Sequence, residues 1–181
     1  MPGLKFRVLL DSLKDHEVFR DIEVNDDADF ESFYSCIIDS FGLNNDQMAS
    51  FFVSDHEWSK GKEVTLMDMA FDPDEESAEI MKDTTIRQFI ESPKQRFILV
   101  YDFLNMWIFL IELQEILSHT VETPKVTLKV GDIPQGLKEG SISNLDEINF
   151  ETEKLDDADD YLDYENGFSE DDFENIDDLD I

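Results

Sequence analysis

Side chains able to carry acid–base or metal chemistry are numerous in this sequence, but few stand at a spacing that defines a site. The clearest polar residue within an apolar run is Asp102, which lies between two aromatic residues and precedes Asn105 and Trp107. A carboxylate at a strand end either accepts backbone N–H bonds in the following turn or belongs to a binding site. We expect the turn role for Asp102. The alternative is a degenerate ligand-binding or enzyme domain, for which the candidate residual site is Arg20, Asp102, Asn105 and Trp107.

Metal binding and nucleophilic catalysis are both disfavoured by residue spacing. The three histidines, His16, His56 and His119, stand far apart, and Cys36 is the sole cysteine, so no zinc-ligand spacing exists. Cys36 falls beside the apolar face of a predicted helix, where a small core cysteine is expected. The sequence has no Gly-rich phosphate loop and no G-x-S-x-G turn. We therefore predict no catalytic residues, no metal and no cofactor.

The last 31 residues combine like charge with aromatic side chains. Residues 151–181 hold fifteen acidic residues and one basic residue, Lys154, which gives −14 of the formal net charge of −31. Like charges repel and solvated carboxylates resist burial, so we expect a disordered tail. Aromatic residues interleaved among acids suit a segment that binds a basic, partly apolar protein. The tail residues predicted to contact such a partner are Tyr161, Tyr164, Phe168 and Phe173.

Four hypotheses for this segment remain open. The leading one is a non-enzymatic interaction module whose tail binds a basic protein partner. A second is an acidic nucleic-acid mimic that blocks a DNA-binding protein, which needs carboxylates at phosphate-like spacing on a folded surface. A third is a solvated tail that only keeps the protein soluble. In the fourth, the tail folds back on its own domain and needs a basic patch, for which the candidates are Lys60, Lys62, Lys94 and Arg96.

The overall composition limits the class of partner. The chain has 181 residues, of which 14 are basic and 45 acidic, and the basic residues are scattered. Direct binding to nucleic acid or to an anionic membrane needs clustered cations, so neither is expected. The apolar stretch at residues 104–117 is too short and too interrupted by polar residues to span a bilayer. A single cysteine and the absence of a secretory signal favour a cytoplasmic protein.

Apolar periodicity predicts the first elements of the fold. Residues 4–11 and 17–24 alternate with period two, and their closeness predicts a β-hairpin. Apolar residues then recur at spacings of three and four over residues 30–41, which predicts an amphipathic helix. An aspartate just before this helix is its expected N-cap, and Gly42 is its expected C-cap.

Later segments predict further strands around a short helix. The helix is expected at residues 86–90, capped by Asp83 and Thr84. A three-residue turn joins residues 96–103 to residues 107–113, and their continuous apolar character favours burial on both faces. Residues 55–62 are expected to form a turn, and residues 114–118 to end a strand in a helical turn. The remaining predicted strands cover residues 49–54, 63–66 and 125–130.

This order of elements predicts an α+β fold. We expect a mixed sheet with a β-hairpin–helix–strand opening similar to a β-grasp, and with helices on one face. The predicted domain covers residues 1–130, and a linker with Gly and Pro residues covers residues 131–150. The acidic tail at residues 151–181 follows.

Several of these segments resemble the plasmid pRiA4b ORF-3-like family. They are FRVLL, EVFRDIEV, DSFGL, QMASFFV and LVYDFLNMW with the following IEL, between about Lys5 and Leu117, and YDF-x-x-x-W is the most specific. The resemblance implies a bacterial, mobile-element-associated α+β domain without an established enzyme activity. A resolvase-type label carried by some relatives finds no support here, because no serine nucleophile stands in a basic environment.

The chain departs from its relatives at several positions. Relatives often carry histidines where this chain has Tyr34, Gln47, Ala49 and Phe109. The Gly-Asp pair that usually follows YDF is Leu104-Asn105 here, and the acidic tail replaces a Cys-containing segment. If the family positions form a polar or metal site, the resemblance implies that this chain lacks most of its ligands.

Overall fold

A computed structural model describes residues 1–11, 17–68 and 78–133 of the chain. Within these ranges, eight strands form one sheet and one α-helix packs on one of its faces. Neighbouring strands are antiparallel, except for a parallel contact between the fourth and fifth strands. The predicted α+β fold with a mixed sheet is therefore confirmed.

The strand order across the sheet differs from the order along the chain. In chain order, the strands are β1 Gly3–Leu10, β2 Phe19–Asn25, β3 Ala49–Ser54, β4 Lys60–Thr65, β5 Glu79–Ile80, β6 Arg96–Tyr101, β7 Trp107–Ile116 and β8 Lys125–Val130. The helix α1 spans Phe30–Phe41, and two short 3-10 turns lie between β5 and β6, at Met81–Asp83 and Ile86–Phe89. Across the sheet the order is β5-β4-β3-β6-β7-β1-β2-β8.

The hairpin and helix form where local sequence signals predict them. β1 and β2 pair antiparallel, and Asp29 caps α1 by accepting the backbone N–H of Ser32 at 2.7 Å. Gly42 ends the helix at φ 67°, a left-handed conformation that glycine adopts without steric cost. Two strands lie between β3 and β1, so the likeness to a β-grasp is one of element order.

The core between α1 and the sheet is aromatic. Five phenylalanine rings are fully buried there, with neighbouring centroids 5.1 to 6.0 Å apart. Tilted and edge-on rings at these distances add to the stabilisation from burial alone. The five residues are Phe6, Phe30, Phe33, Phe51 and Phe97.

The central strands differ in how they are buried. Every residue of β6 after Arg96 is buried, which confirms the prediction of two-sided burial for that strand. β7 instead alternates, with Phe109, Ile111 and Leu113 buried and their neighbours half-exposed. The two-sided prediction was wrong for β7, because its second face carries polar as well as apolar side chains.

Three local predictions differ from the structure. β7 continues to Ile116 in place of a helical turn at residues 114–118, because β1 supplies backbone partners along this stretch. Residues 86–89 form a 3-10 turn without a side-chain cap, since the hydroxyl of Thr84 donates to the carbonyl of Ile80. Residues 55–62 are not all turn, because β4 already begins at Lys60.

The packed body extends a little beyond residue 130. Val121 and Ile133 are 3% and 5% exposed, and Ile133 belongs to the main core cluster. The buried core thus includes a residue placed in the predicted linker. The part of the predicted linker after Ile133 and the predicted tail lie outside the described residues.

Candidate functional site

Arg20 is a buried cation held by backbone oxygens. Its guanidinium carbon lies 4.5 Å from the ring centroid of Phe41, a cation–π geometry. Burial lowers the pKa of Arg20, and the nearby charge of Asp132 opposes that shift. Four carbonyls accept its N–H groups at 2.8 to 3.0 Å, and they belong to Phe19, Ser40, Val130 and Gly131. Arg20 therefore ties β2 to the end of α1 and to the end of β8.

Asp102 organises the turn between β6 and β7. Its carboxylate accepts the backbone N–H groups of Leu104 at 3.1 Å and Asn105 at 3.3 Å. The side-chain amide of Asn105 donates to the other carboxylate oxygen at 2.6 Å. Asp102 has φ 54°, a left-handed conformation that Asp and Asn tolerate better than most residues. These bonds match the turn role expected from the sequence.

Replacing Asp102 by alanine should destabilise this turn. The change removes three accepted hydrogen bonds and places a less tolerant residue at positive φ, so we expect a loss of about 1–3 kcal/mol in the free energy of unfolding. Urea denaturation measures the loss. Asp102→Asn is the matched control, because it keeps an oxygen acceptor and the backbone preference, and should retain most of the stability. Equal losses for the two variants would contradict the turn role.

The structure groups only part of the predicted candidate site. Asp102 and Asn105 are hydrogen-bonded, and Trp107 starts β7 in the same hairpin, opposite Tyr101 and packed against the core. The hydrogen bonds of Arg20 go to other elements. Two separate polar groups are therefore present, and each supports the fold around it.

The positions at which the resemblance implies histidine in relatives are mostly core. Tyr34, Ala49 and Phe109 are fully buried, while Gln47 is partly exposed. Burial raises the pKa of Tyr34 above its usual range, and its hydroxyl has no partner among the described residues. Across residues 1–11, 17–68 and 78–133, no group of three His, Cys, Asp or Glu residues could hold a metal ion.

Cys36 is a poor candidate nucleophile. Burial raises its pKa to about 11, with a further contribution from the charge of Asp39. The thiol is therefore protonated at neutral pH, whereas the thiolate is the reactive form. The half-buried position on α1 fits the packing role expected from the sequence.

An open cleft of about 520 Å³ lies at one end of β3, β4 and β6. Its lining brings together the four cations that the sequence offered as a basic patch. Two carboxylates, Asp55 and Glu91, and the imidazole of His56 also line it. We call this feature the basic cleft, and its four cations are Lys60, Lys62, Lys94 and Arg96.

Strand register explains why these cations meet. Ser54 on β3 pairs with Lys60 on one side and with Arg96 on the other. Cross-strand partners project from the same face of a sheet. A register shift beside Ser54 adds one residue to β4 between Lys60 and Glu63, as in a β-bulge. The pairing of Ser54 with Arg96 joins residues that are 42 positions apart in the sequence.

Two cations of the basic cleft already have acidic partners. The Nζ of Lys62 lies 2.9 Å from the Oε1 of Glu79, and the Nε of Arg96 lies 2.7 Å from the Oε2 of Glu112. Burial alone would raise the pKa of Glu112, but hydrogen bonds from Arg96 and Gln114 and the charge of Arg96 lower it overall. The lining holds four cations and two carboxylates, and with Glu79 and Glu112 the acidic groups equal the cations in number.

Sequence reasoning named these cations but could not place them on one surface. The sequence predicted strands at residues 49–54 and 96–103, but no local pattern fixes the register in which these two strands pair. The predicted tail contacts Tyr161, Tyr164, Phe168 and Phe173 lie outside the described residues.

Comparison with known proteins extends the resemblance seen in the sequence. The family model described as plasmid pRiA4b ORF-3-like protein matches residues 2–173, which reaches well beyond Leu117. No curated protein matches the chain. In the described part of the chain, no helix has the length and apolar character needed to cross a membrane.

A solved structure supports the same fold. The crystal structure of a protein of unknown function from Methanosarcina mazei Go1 is similar, with a TM-score of 0.58 and 15% sequence identity. The similarity covers 71% of this chain and 70% of that chain, and at this identity it shows the fold alone. Since the family model spans most of the sequence, the chain belongs to the plasmid pRiA4b ORF-3-like protein family.

Proposed function

We propose that the protein is a non-enzymatic interaction module that acts in the cytoplasm, where its acidic segment 151–181 binds a basic protein partner. The observation that carries the proposal is the composition of that segment, with fifteen acidic residues, one basic residue and regularly interleaved aromatic residues. The single cysteine supports a reducing compartment.

The aromatic and acidic residues have different tasks in this proposal. Burying one of the rings of Tyr161, Tyr164, Phe168 or Phe173 against a partner contributes about 1.5–3 kcal/mol. The carboxylates around the rings speed the encounter and select basic partners. Binding is therefore sensitive to salt, while the rings hold the complex together.

The chemistry of the described body supports a binding role over catalysis. Two buried ionisable groups, Arg20 and Asp102, hydrogen-bond to neighbouring segments of the fold. The raised pKa of Cys36 keeps its thiol protonated at neutral pH. These groups stabilise a scaffold that presents the acidic segment.

The first test removes the rings and keeps the charge. In the full chain, Tyr161→Ala, Tyr164→Ala, Phe168→Ala and Phe173→Ala are combined, and the tagged protein is used for affinity purification with quantitative mass spectrometry. Loss of four rings should lower the recovery of bound basic proteins at least about tenfold, because each tenfold change in affinity corresponds to about 1.4 kcal/mol.

A truncated chain serves as the companion variant. Deleting residues 151–181 should abolish the same capture and leave cooperative unfolding intact, since the described core lies within residues 1–133. Circular dichroism on heating checks the fold. If the ring-deficient and truncated chains both recover the same basic proteins as the full chain, the proposal is rejected.

A further inference from the structure

Three large apolar side chains are exposed at the same end of the sheet. Leu104 is 93% exposed, Met67 53% and Met106 50%. Half-buried Met48 belongs to the same end, since its carbonyl accepts the backbone N–H of Asp102 at 2.9 Å. Exposed apolar side chains that gather in one place, unlike single ones, indicate a contact for another molecule. We call Met48, Met67, Leu104 and Met106 the Leu/Met surface.

Strand pairing explains why these residues meet. Tyr101 on β6 pairs with Ala49 on β3 and with Trp107 on β7. The backbone N–H of Leu66, just after β4, donates to the carbonyl of Ala49 at 3.0 Å. Each residue of the Leu/Met surface lies within a few positions of one of these four residues. The surface therefore extends across the ends of four neighbouring strands, or about 14 Å at the usual strand spacing.

The turn that carries Leu104 and Met106 is held in place and strained. The carboxylate of Asp102 accepts the hydrogen bonds from Leu104 and Asn105 described above, and the backbone N–H of Met106 donates to the carbonyl of Asp102 at 2.7 Å. Met106 has φ 52°, a left-handed conformation that Gly or Asn adopts at lower cost. The turn thus displays a methionine in spite of this cost, and a backbone already fixed in place loses little entropy on binding.

The surroundings of the Leu/Met surface are acidic. Residues 42–49, 65–68 and 101–107 include Asp46, Asp68 and Asp102 and no basic residue. Burial raises the pKa of Tyr101 to about 12, and the nearby charges of Asp46 and Asp102 add to this shift. An acidic rim attracts cationic partners and repels anionic ones. It therefore disfavours an anionic membrane, and also a second copy of this chain, which would bring carboxylates against carboxylates.

We propose that the Leu/Met surface binds an apolar pocket with a basic rim on a protein partner. The inference rests on the proposed function, because it assigns to the same basic partner a contact on the described body. Leu104, as the most exposed residue, would enter the pocket. The methionines would pack around it, since their unbranched thioether side chains adapt to irregular surfaces, and Asp46 would face the basic rim.

Site-specific photo-cross-linking tests the contact in the full chain. The photoreactive residue p-benzoylphenylalanine replaces Leu104 in one variant and Leu128 in a control variant, because Leu128 is also an exposed leucine, on β8 at the sheet edge. After ultraviolet irradiation in cell extract, mass spectrometry identifies the adducts. We expect residue 104 to link to a basic protein that the full chain also recovers by affinity purification, and residue 128 to give little of this adduct.

A double substitution separates the contact from the fold. Leu104→Asn with Met106→Asn removes the two apolar side chains, and asparagine tolerates positive φ better than methionine does. The urea midpoint should therefore not fall, while recovery of the basic partner should fall about tenfold, as loss of one well-buried apolar side chain would produce. Val126→Thr with Leu128→Thr is the matched control, because it removes two exposed apolar side chains from β8 and keeps a high strand propensity.

Three results would overturn the inference. One is the absence of an adduct at residue 104, or an equal yield at residue 128. Another is an adduct of residue 104 with a second copy of the chain or with lipid in place of a basic protein. The third is equal recovery of the partner by the asparagine and threonine variants.

The inference and the proposed function fail in different ways. Unchanged partner recovery by the chain without residues 151–181, with the adduct at residue 104 retained, would reject the proposed role of that segment alone. Lost recovery in that truncated chain, with unchanged recovery by Leu104→Asn with Met106→Asn, would reject the Leu/Met surface alone.

Discussion

Truncating Phe30 to alanine should lower the free energy of unfolding by about 3–5 kcal/mol. Phe30 is fully buried at the start of α1, and its ring contacts Phe51, Phe89 and Phe97 at centroid distances of 5.1, 5.9 and 5.5 Å. The loss combines the burial of the ring with the cavity that remains, because a ring-packed core can collapse only in part. Urea denaturation followed by circular dichroism measures it.

Phe52→Ala is the matched control for this prediction. Phe52 lies on the neighbouring position of the same strand as Phe51, but its side chain is on the other face of the sheet and half-exposed. Its truncation should cost about 1–2 kcal/mol, because less apolar surface leaves water on folding. A loss for Phe30→Ala no larger than that for Phe52→Ala would show that the aromatic cluster does not dominate the core.

Local chemistry made much of this fold predictable. The spacing of apolar residues gives α1 its buried face, and Asp29 and Gly42 mark its ends, because capping depends on residues adjacent in sequence. The β1–β2 and β6–β7 hairpins follow from alternating or apolar runs joined by short connections. In each case the interacting residues lie within 22 positions of one another in the sequence.

Pairing between strands that are distant in the sequence explains the features that the sequence did not predict. The helical turn predicted after Leu113 is a strand, because β1, about a hundred residues earlier, offers backbone partners to Glu115 and Ile116. The basic cleft likewise depends on the pairing of Ser54 with both Lys60 and Arg96. Register is a property of the assembled sheet, so the positions of the lysines in the sequence did not show that they share a surface.

Replacing Arg20 by methionine should lower the free energy of unfolding by about 3–5 kcal/mol. Methionine has similar length but no donor, so the four carbonyls that accept from Arg20 lose a partner. Each buried acceptor left unpaired costs about 1–3 kcal/mol, and water restores part of this where the carbonyl is only partly buried. Arg20→Lys should recover little, because an ammonium cannot reproduce the planar fork of a guanidinium.

The effect of Arg20 should concentrate at β8. That strand is largely exposed and pairs only with β2 among the described strands, and Arg20 adds bonds to the carbonyls of Val130 and Gly131 at its end. Amide hydrogen exchange should therefore accelerate in β8 before the rest of the sheet. Arg87→Met, at an exposed arginine, should change stability by less than about 0.5 kcal/mol. Unchanged exchange in β8 of Arg20→Met would mean that strand pairing alone holds this edge of the sheet.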